Sequence, residues 1–344
     1  MYSLLDLTQH LLDSHNIRVD QNQLTDLRNI GYYHGYKGYR FIREPQDRIE
    51  FKELREITAL NRFDMDVKSL VYPKIMLIET ALKNYFLECL LADSQSPNMS
   101  VIYEKSLTHY RSFDKGSHKY KEELSKLMNL QIRIKSALIR DYNAKRKVVE
   151  HFLNSDKPIP VWAVFETLTL GEFGTFFCCA KKEIRINTSK LLNLPTNLDA
   201  DGNMISYMIY ALRDLRNAVA HNGVVFDTRF KNSQVNGQLT ALLEKELGIT
   251  DLDFKFIDAY IILITYIYDK MSNGTKVCRS FLKEYDKFCE SLCSVIQKDT
   301  YFRIVGSKHK GNLESLIKRY MPTSPDAAAK EVKKEEKNCR NCQL

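Results

Sequence analysis

The chain has 344 residues, 44% of them hydrophobic, with only 13 Gly and 8 Pro, a balance that excludes collagen-like, disordered and turn-rich β architectures. The formal net charge is +8, and the stretch from Lys105 to Lys147 alone holds twelve Lys or Arg against four Asp or Glu, again +8. A surface for a polyanion has this composition, and so does a solvated helix face.

Residues Met1 to Asp6 carry neither a basic start nor a long apolar run, so no signal peptide is expected. Eight cysteines without a secretory leader fit reduced thiols in a cytoplasmic protein. Leu4, Leu5, Leu7, Leu11 and Leu12 recur at helical spacing, and a second short helix through Leu24, Leu27 and Ile30 ends at Gly31. The next stretch, Gly31 to Arg40, is rich in Tyr and Gly and carries basic residues. It suits either stacking on bases through Tyr33, Tyr36 and Arg40 or a packed turn between helices.

From Phe51 the pattern is long and helical, with Pro73 opening a helix that runs to about Leu91. Ile75, Ile78, Leu82, Phe86 and Cys89 share one stripe, and Glu79 falls within it. A carboxylate there either meets a cation, for which Arg216 on another helix is the preferred candidate, or sits at the edge of the stripe in contact with water. Residues 100–153 form the basic segment, two helices broken near Gly116, and supply Lys119, Lys121, Arg133, Arg140, Lys145, Arg146 and Lys147 as phosphate contacts. A helix carrying Trp162, Phe165, Leu168 and Leu170 then ends at Gly171, and residues 197–203 are a polar loop. The helix of Ile205, Met208, Ile209, Leu212 and Leu215 delivers Arg216, Asn217 and His221, with Gly223 as C-cap.

Further helices are expected near 252–270, 275–297 and 312–320. The apolar run Ala259–Tyr268 is too short to span a bilayer and reads as a buried helix, so no membrane is involved. From Pro322 the composition is that of a disordered tail, and Cys339 and Cys342 form a lone CxxC there. The class is all-α. The domain reading is a helical unit over 1–50, a bundle over 51–270 with a basic insertion at 100–155, C-terminal helices over 271–321, and the tail 322–344. His10, His15, His109, His118 and His151 lack a second donor at metal-binding spacing, so no metal or cofactor is expected.

Arg216 and His221 combine a planar, permanently charged phosphate fork with an imidazole that moves protons near neutral pH. Five residues of regular helix turn through about 500°, so the two side chains point about 140° apart. Unwinding near Asn222-Gly223 repairs this, and so does a two-fold dimer in which each chain gives one Arg and one His to a shared cleft. The dimer is the preferred solution. A structural Arg with a capping His is what the spacing alone suggests.

Four stretches, in order, resemble the Abi-like abortive-infection family of the AbiD and AbiF type, whose members contain a HEPN domain. They are Ile30-Gly31-Tyr32-Tyr33 through Gly38-Tyr39, and Phe63-Asp64 followed by Ile78-Glu79-Thr80-Ala81-Leu82-Lys83. The third is His151 with Pro158, Pro160, Trp162, Glu166 and Leu170-Gly171-Glu172, and the last is Leu215-Arg216-Asn217 with Ala220-His221-Asn222. His34 and Lys37 depart from the pattern.

The resemblance implies a HEPN-type helical bundle and metal-independent cleavage of RNA to 2′,3′-cyclic phosphate and 5′-hydroxyl ends. Arg216, His221 and Asn217 would be catalytic, with Glu79 and Asn222 supporting them. It also implies a toxin role in phage defence, in some relatives beside a small restraining RNA. The alternative is a non-catalytic RNA-binding HEPN module in a ribonucleoprotein or toxin–antitoxin complex. DNA binding by the N-terminal helices is a third reading, weakened by the absence of an obvious recognition helix.

Overall fold

The computed structural model describes residues 3–231 and 233–321, so the tail and its CxxC lie outside the described residues. Fifteen α-helices and no β-strand occur among the described residues, with β pairing limited to three isolated bridges. The all-α expectation holds.

The first helix, α1 (Leu4–His15), starts from a capping box in which Ser3 and Asp6 satisfy each other's backbone N–H groups. After α2 (Leu24–Gly31) the Tyr-Gly stretch forms a π-helical turn, Tyr32–Lys37, entered through Gly31 at φ 64°. Tyr36 is buried in that turn, its ring 4.2 Å from His15 between centroids, so it is a packing residue and not an available base-stacking platform. Tyr33 remains 72% exposed.

The spine is α3 (Leu54–Ser94), 41 residues long and roughly 60 Å. Pro73 lies inside it, where the sequence suggested a helix start. A mid-helix proline removes one backbone hydrogen bond, at about 3 kcal/mol. Here Val71 and Ile75 on either side are both completely buried, and that shared packing carries the helix through.

Next come α4 (Met99–Lys105), α5 (His118–Asn143) and α6 (Lys147–Leu153): the expected break at Gly116, φ 83°, is present, but a second one at 144–146 makes three α-helices where two were expected. The single helix expected to end at Gly171 is instead two, α7 (Val161–Thr167) and α8 (Leu170–Cys179). Leu168 is extended, and Thr169 opens α8 with a capping box to Glu172, a start signal that outweighs the apolar periodicity. Phe165, Phe173, Phe176 and Phe177 close around Phe86 of α3, with Phe86 and Phe177 centroids 5.0 Å apart.

The remaining elements are α9 (Lys182–Leu191), α10 (Met204–Ala220), α11 (Gly237–Leu247), α12 (Ile257–Lys270), α13 (Thr275–Cys293), α14 (Lys298–Val305) and α15 (His309–Arg319). Helices α9, α10, α12 and α13 all pack on α3. Gly174 lets α8 approach α10: a Cβ there would lie 2.9 Å from Ile209 and 3.1 Å from Tyr210. The run Ala259–Tyr268 is wholly buried in α12, and no helix among the described residues is long and apolar enough to cross a membrane. The buried apolar side chains form one continuous cluster from Leu11 to Tyr320.

Candidate functional site

Met208, Ile209, Leu212 and Leu215 fix one face of α10 in the core, which leaves Arg216 on its flank beside α3. Arg216 Nε faces Glu79 Oε2 at 3.9 Å, and neither atom has a hydrogen-bond partner although both are buried. The expected ion pair of Glu79 with Arg216 is thus present but long, and the hydrogen-bonded partner of Glu79 is Lys83 of the same helix, Nζ to Oε1 at 2.9 Å. One turn of helix puts Lys83 within reach without a second element. Lys83 Nζ also donates to Leu168 O, and Arg216 Nη1 to Asn217 Oδ1 at 3.3 Å.

These groups line a cavity of about 480 Å³, with Arg140, Arg146 and Trp162 on its other side. Arg140 is held by Asp141 and Thr167 O, and Arg146 by Asp141 at 3.3 Å. Four cationic side chains, Lys83, Arg140, Arg146 and Arg216, therefore share one space with the carboxylates of Glu79 and Glu166.

At the end of α10 the helix does not unwind before His221, whose amide donates to Asn217 O at 3.1 Å. The left-handed residue that ends it is Asn222, φ 53°, and not Gly223. Asparagine tolerates this conformation through its short polar side chain. His221 is exposed and is not part of the Arg216 cavity. Within one chain the two principal residues of the motif therefore do not converge.

Asn222 leads to a second cavity, of about 510 Å³, lined by Tyr33, Lys37, Arg40, Lys68, Asn222 and Arg229. His221 thus falls between a residue that lines each basic cavity. The anchor below is Asp64: Oδ1 accepts from Val225 N (2.7 Å) and Phe226 N (2.8 Å), and Oδ2 from Lys68 Nζ (2.6 Å) and Tyr39 Oη (3.2 Å). Lys68 Nζ also donates to Asn222 Oδ1 at 3.1 Å, tying the segment after the motif to α3. Burial, and then the charge of Asp64, push the Tyr39 hydroxyl far above its usual range, so it stays protonated as a donor.

The other RNA-binding candidates divide. Tyr33 and Arg40 line the Asn222 cavity, and Arg140 and Arg146 join Arg216. Lys119, at the opposite end of α5 from Arg140, is paired with Glu122 and Glu123. Lys121, Arg133, Lys145 and Lys147 are exposed along α5 and the start of α6. Sequence reasoning gave no role to Lys68, Lys83 or Asp64, although the i,i+4 spacing of Asp64 with Lys68 and of Glu79 with Lys83 was readable. His10 and His15 both hydrogen-bond Tyr32 Oη, at 3.2 and 3.0 Å, and so pack locally. Among the described residues no group of three or more His, Cys, Asp or Glu is placed to hold a metal ion.

An all-α protein built on one long helix, with two basic cavities on either side of an Arg-x4-His motif, is the class that fold and site define. A family model described as Abi-like protein matches residues 25–227, which includes the motif and the residues named for both cavities except Arg229. The match covers more than half of the chain, and the chain belongs to the Abi-like protein family, an assignment that points to abortive infection. No curated protein and no solved structure matches the chain.

Proposed function

We propose that this protein is a HEPN-type, metal-independent endoribonuclease that serves as a phage-defence toxin and works as a homodimer. The observation that carries this reading is the Arg216 cavity, in which four cations converge and a buried guanidinium N–H has no hydrogen-bond partner. A phosphodiester brings the acceptor oxygens that Arg216 lacks.

In this reading Arg216 stabilises the charge that builds on the equatorial phosphate oxygens. A neutral His221 takes the proton of the 2′-hydroxyl, the 2′-oxygen attacks phosphorus, and the bond to the 5′-oxygen breaks. The protonated His221 of the two-fold mate gives its proton to that leaving oxygen. The products are a 2′,3′-cyclic phosphate and a 5′-hydroxyl. Asn217, bonded to Arg216, holds the guanidinium plane.

Since His221 does not line the Arg216 cavity of its own chain, a second copy would unite them. The contacts of Lys68 with Asn222 and of Glu79 with Arg216 show which stretch of α3 the end of α10 follows. Met65 and Tyr72, 46% and 38% exposed, lie a heptad apart there and give that face apolar area for a partner.

A second reading keeps the fold and RNA binding without chemistry, as a HEPN module in a ribonucleoprotein or toxin–antitoxin complex. It is favoured by the His221 ring, to which no hydrogen bond is made among the described residues. A working general base is usually oriented by a third group. Incubating the purified protein with total RNA in EDTA, beside His221→Ala, separates the two. Cyclic phosphate ends that vanish in the variant support catalysis; tight RNA binding with no cleavage by either protein supports the module.

A further inference from the structure

A third cavity, of about 660 Å³, opens between α5, α9 and α10, a size suited to a small ligand. Its wall carries Arg185 of α9, which is only 3% exposed. A guanidinium that deep normally meets a carboxylate. Here Nη1 reaches only the neutral Asn203 Oδ1, at 2.6 Å, and Nε has no hydrogen-bond partner.

Of the carboxylates nearby, Glu183 is exposed on the first turn of α9, and the others are engaged elsewhere. Asp199 accepts from the Ser189 hydroxyl and from Met204 N. Glu123 is held by Lys119 and Lys126, and Asp201 faces Lys182 at 3.6 Å. Gly202, φ +65°, brings the loop that carries Asn203 against Arg185, where a Cβ would lie 2.9 Å from Arg185 Cβ and Ile186 N. Arg185 is therefore packed firmly in place with part of its hydrogen-bonding capacity unused.

Two further features point to the same ligand chemistry. Helix α9 begins at this cavity without a side-chain cap, so its first N–H groups and the positive end of its dipole are available to an anion. Phe113 and Tyr207, both half-buried, supply ring surfaces on the walls. The positive surroundings are also felt by His109, whose proton affinity is lowered first by burial and then by the charge of Arg185.

We propose that this cavity binds a phosphorylated mononucleotide, with its phosphate on Arg185 and the start of α9 and its base against Phe113 or Tyr207. The charge converges on one buried point and does not run along a track, which favours a small ligand over an RNA strand. The site is separate from the Arg216 cavity and does not depend on the ribonuclease reading.

The test is calorimetric titration of the full chain with ATP, with inorganic phosphate and with a short oligoadenylate, in wild type, Arg185→Gln, Lys182→Ala and Phe113→Ala. The expected result is one ATP site per chain, weakened about tenfold or more by Arg185→Gln and measurably by Phe113→Ala, with inorganic phosphate competing. Arg185→Gln removes a buried unpaired charge, so its ligand-free melting temperature should not fall. Should that variant fail to fold, unchanged ATP affinity in both Lys182→Ala and Phe113→Ala overturns the proposal. It is equally overturned if neither ATP nor phosphate binds, if ATP affinity is the same in Arg185→Gln, or if oligoadenylate binds more tightly than ATP at this site.

Discussion

Of the three buried carboxylates of helix α3, Asp64 and Glu79 each have a lysine one turn further on, and their surroundings differ in one respect. Asp64 accepts from two backbone amides, a tyrosine hydroxyl and Lys68, so both of its oxygens are satisfied. Glu79 satisfies one oxygen through Lys83 and leaves the other facing an unsatisfied Arg216 Nε across 3.9 Å, at the edge of a cavity. The same local motif thus serves two ends. A closed network fixes the chain, whereas an open one keeps donors in reserve for something that arrives.

The largest expected effect is on the closed network. Asp64→Ala leaves Lys68 buried with its counter-charge gone and two amides without their acceptor. It should cost about 3–5 kcal/mol, read as a fall in the urea midpoint of unfolding. A loss below about 1 kcal/mol would mean that the network is not the anchor described. Glu79→Gln sharpens the contrast. It keeps one acceptor for Lys83 and should lower stability by only about 1–3 kcal/mol. RNA cleavage should fall by more than that stability loss explains, because Arg216 loses the charge that orients it. Equal proportional losses in Asp64→Ala and Glu79→Gln, after correction for the folded fraction, would erase the distinction.

Smaller effects concern the rim and the partner. Arg146→Ala should weaken RNA binding uniformly across sequences and lower the salt slope by about 1, as expected for one lost phosphate contact. An unchanged slope would remove Arg146 from the interface. Tyr72→Lys should shift the molecular mass in light scattering from dimer toward monomer and reduce cleavage, with the melting temperature nearly unchanged. The smallest effect lies in the N-terminal helices. His15 has its proton affinity lowered, first by burial and then by His10, Arg48 and Arg40. Its folded value lies below the ordinary 6.5, so the unfolded chain binds protons first as pH falls. Stability should therefore decline on acidification through 6.5, and His15→Gln should flatten that slope.

Much of this was legible in the sequence. The stripe of Ile75, Ile78, Leu82 and Phe86 with Glu79 inside it marked both the buried face and the need for a cation. The Leu and Ile spacing of α10 placed Arg216 and His221 on diverging bearings, as observed. Other features were not legible, for physical reasons. Pro73 looked like a helix start because its backbone cost is local, while the packing that offsets it is tertiary. Helix α9 escaped notice because Lys182–Leu191 is mostly polar, with Asn, Thr and Ser that favour turns, and its burial against α3 decides the matter. Helix α11 did carry a readable signal in Leu239, Leu242, Leu243 and Leu247. Tyr36 was indistinguishable from Tyr33 by composition, since only the π-helical turn sends one ring inward and leaves the other exposed. Arg185 gave no sign at all, because an unpaired buried guanidinium is a property of its neighbours.

The open contact between Glu79 and Arg216 is where we propose that a reacting phosphate is held. Single-turnover cleavage at saturating RNA, in EDTA, for wild type and Arg216→Gln tests it most directly. The rate should be about 10²–10³-fold lower in the variant, with cyclic phosphate ends on whatever product remains and an unchanged fold by circular dichroism. Cleavage by folded Arg216→Gln at the wild-type rate would contradict it.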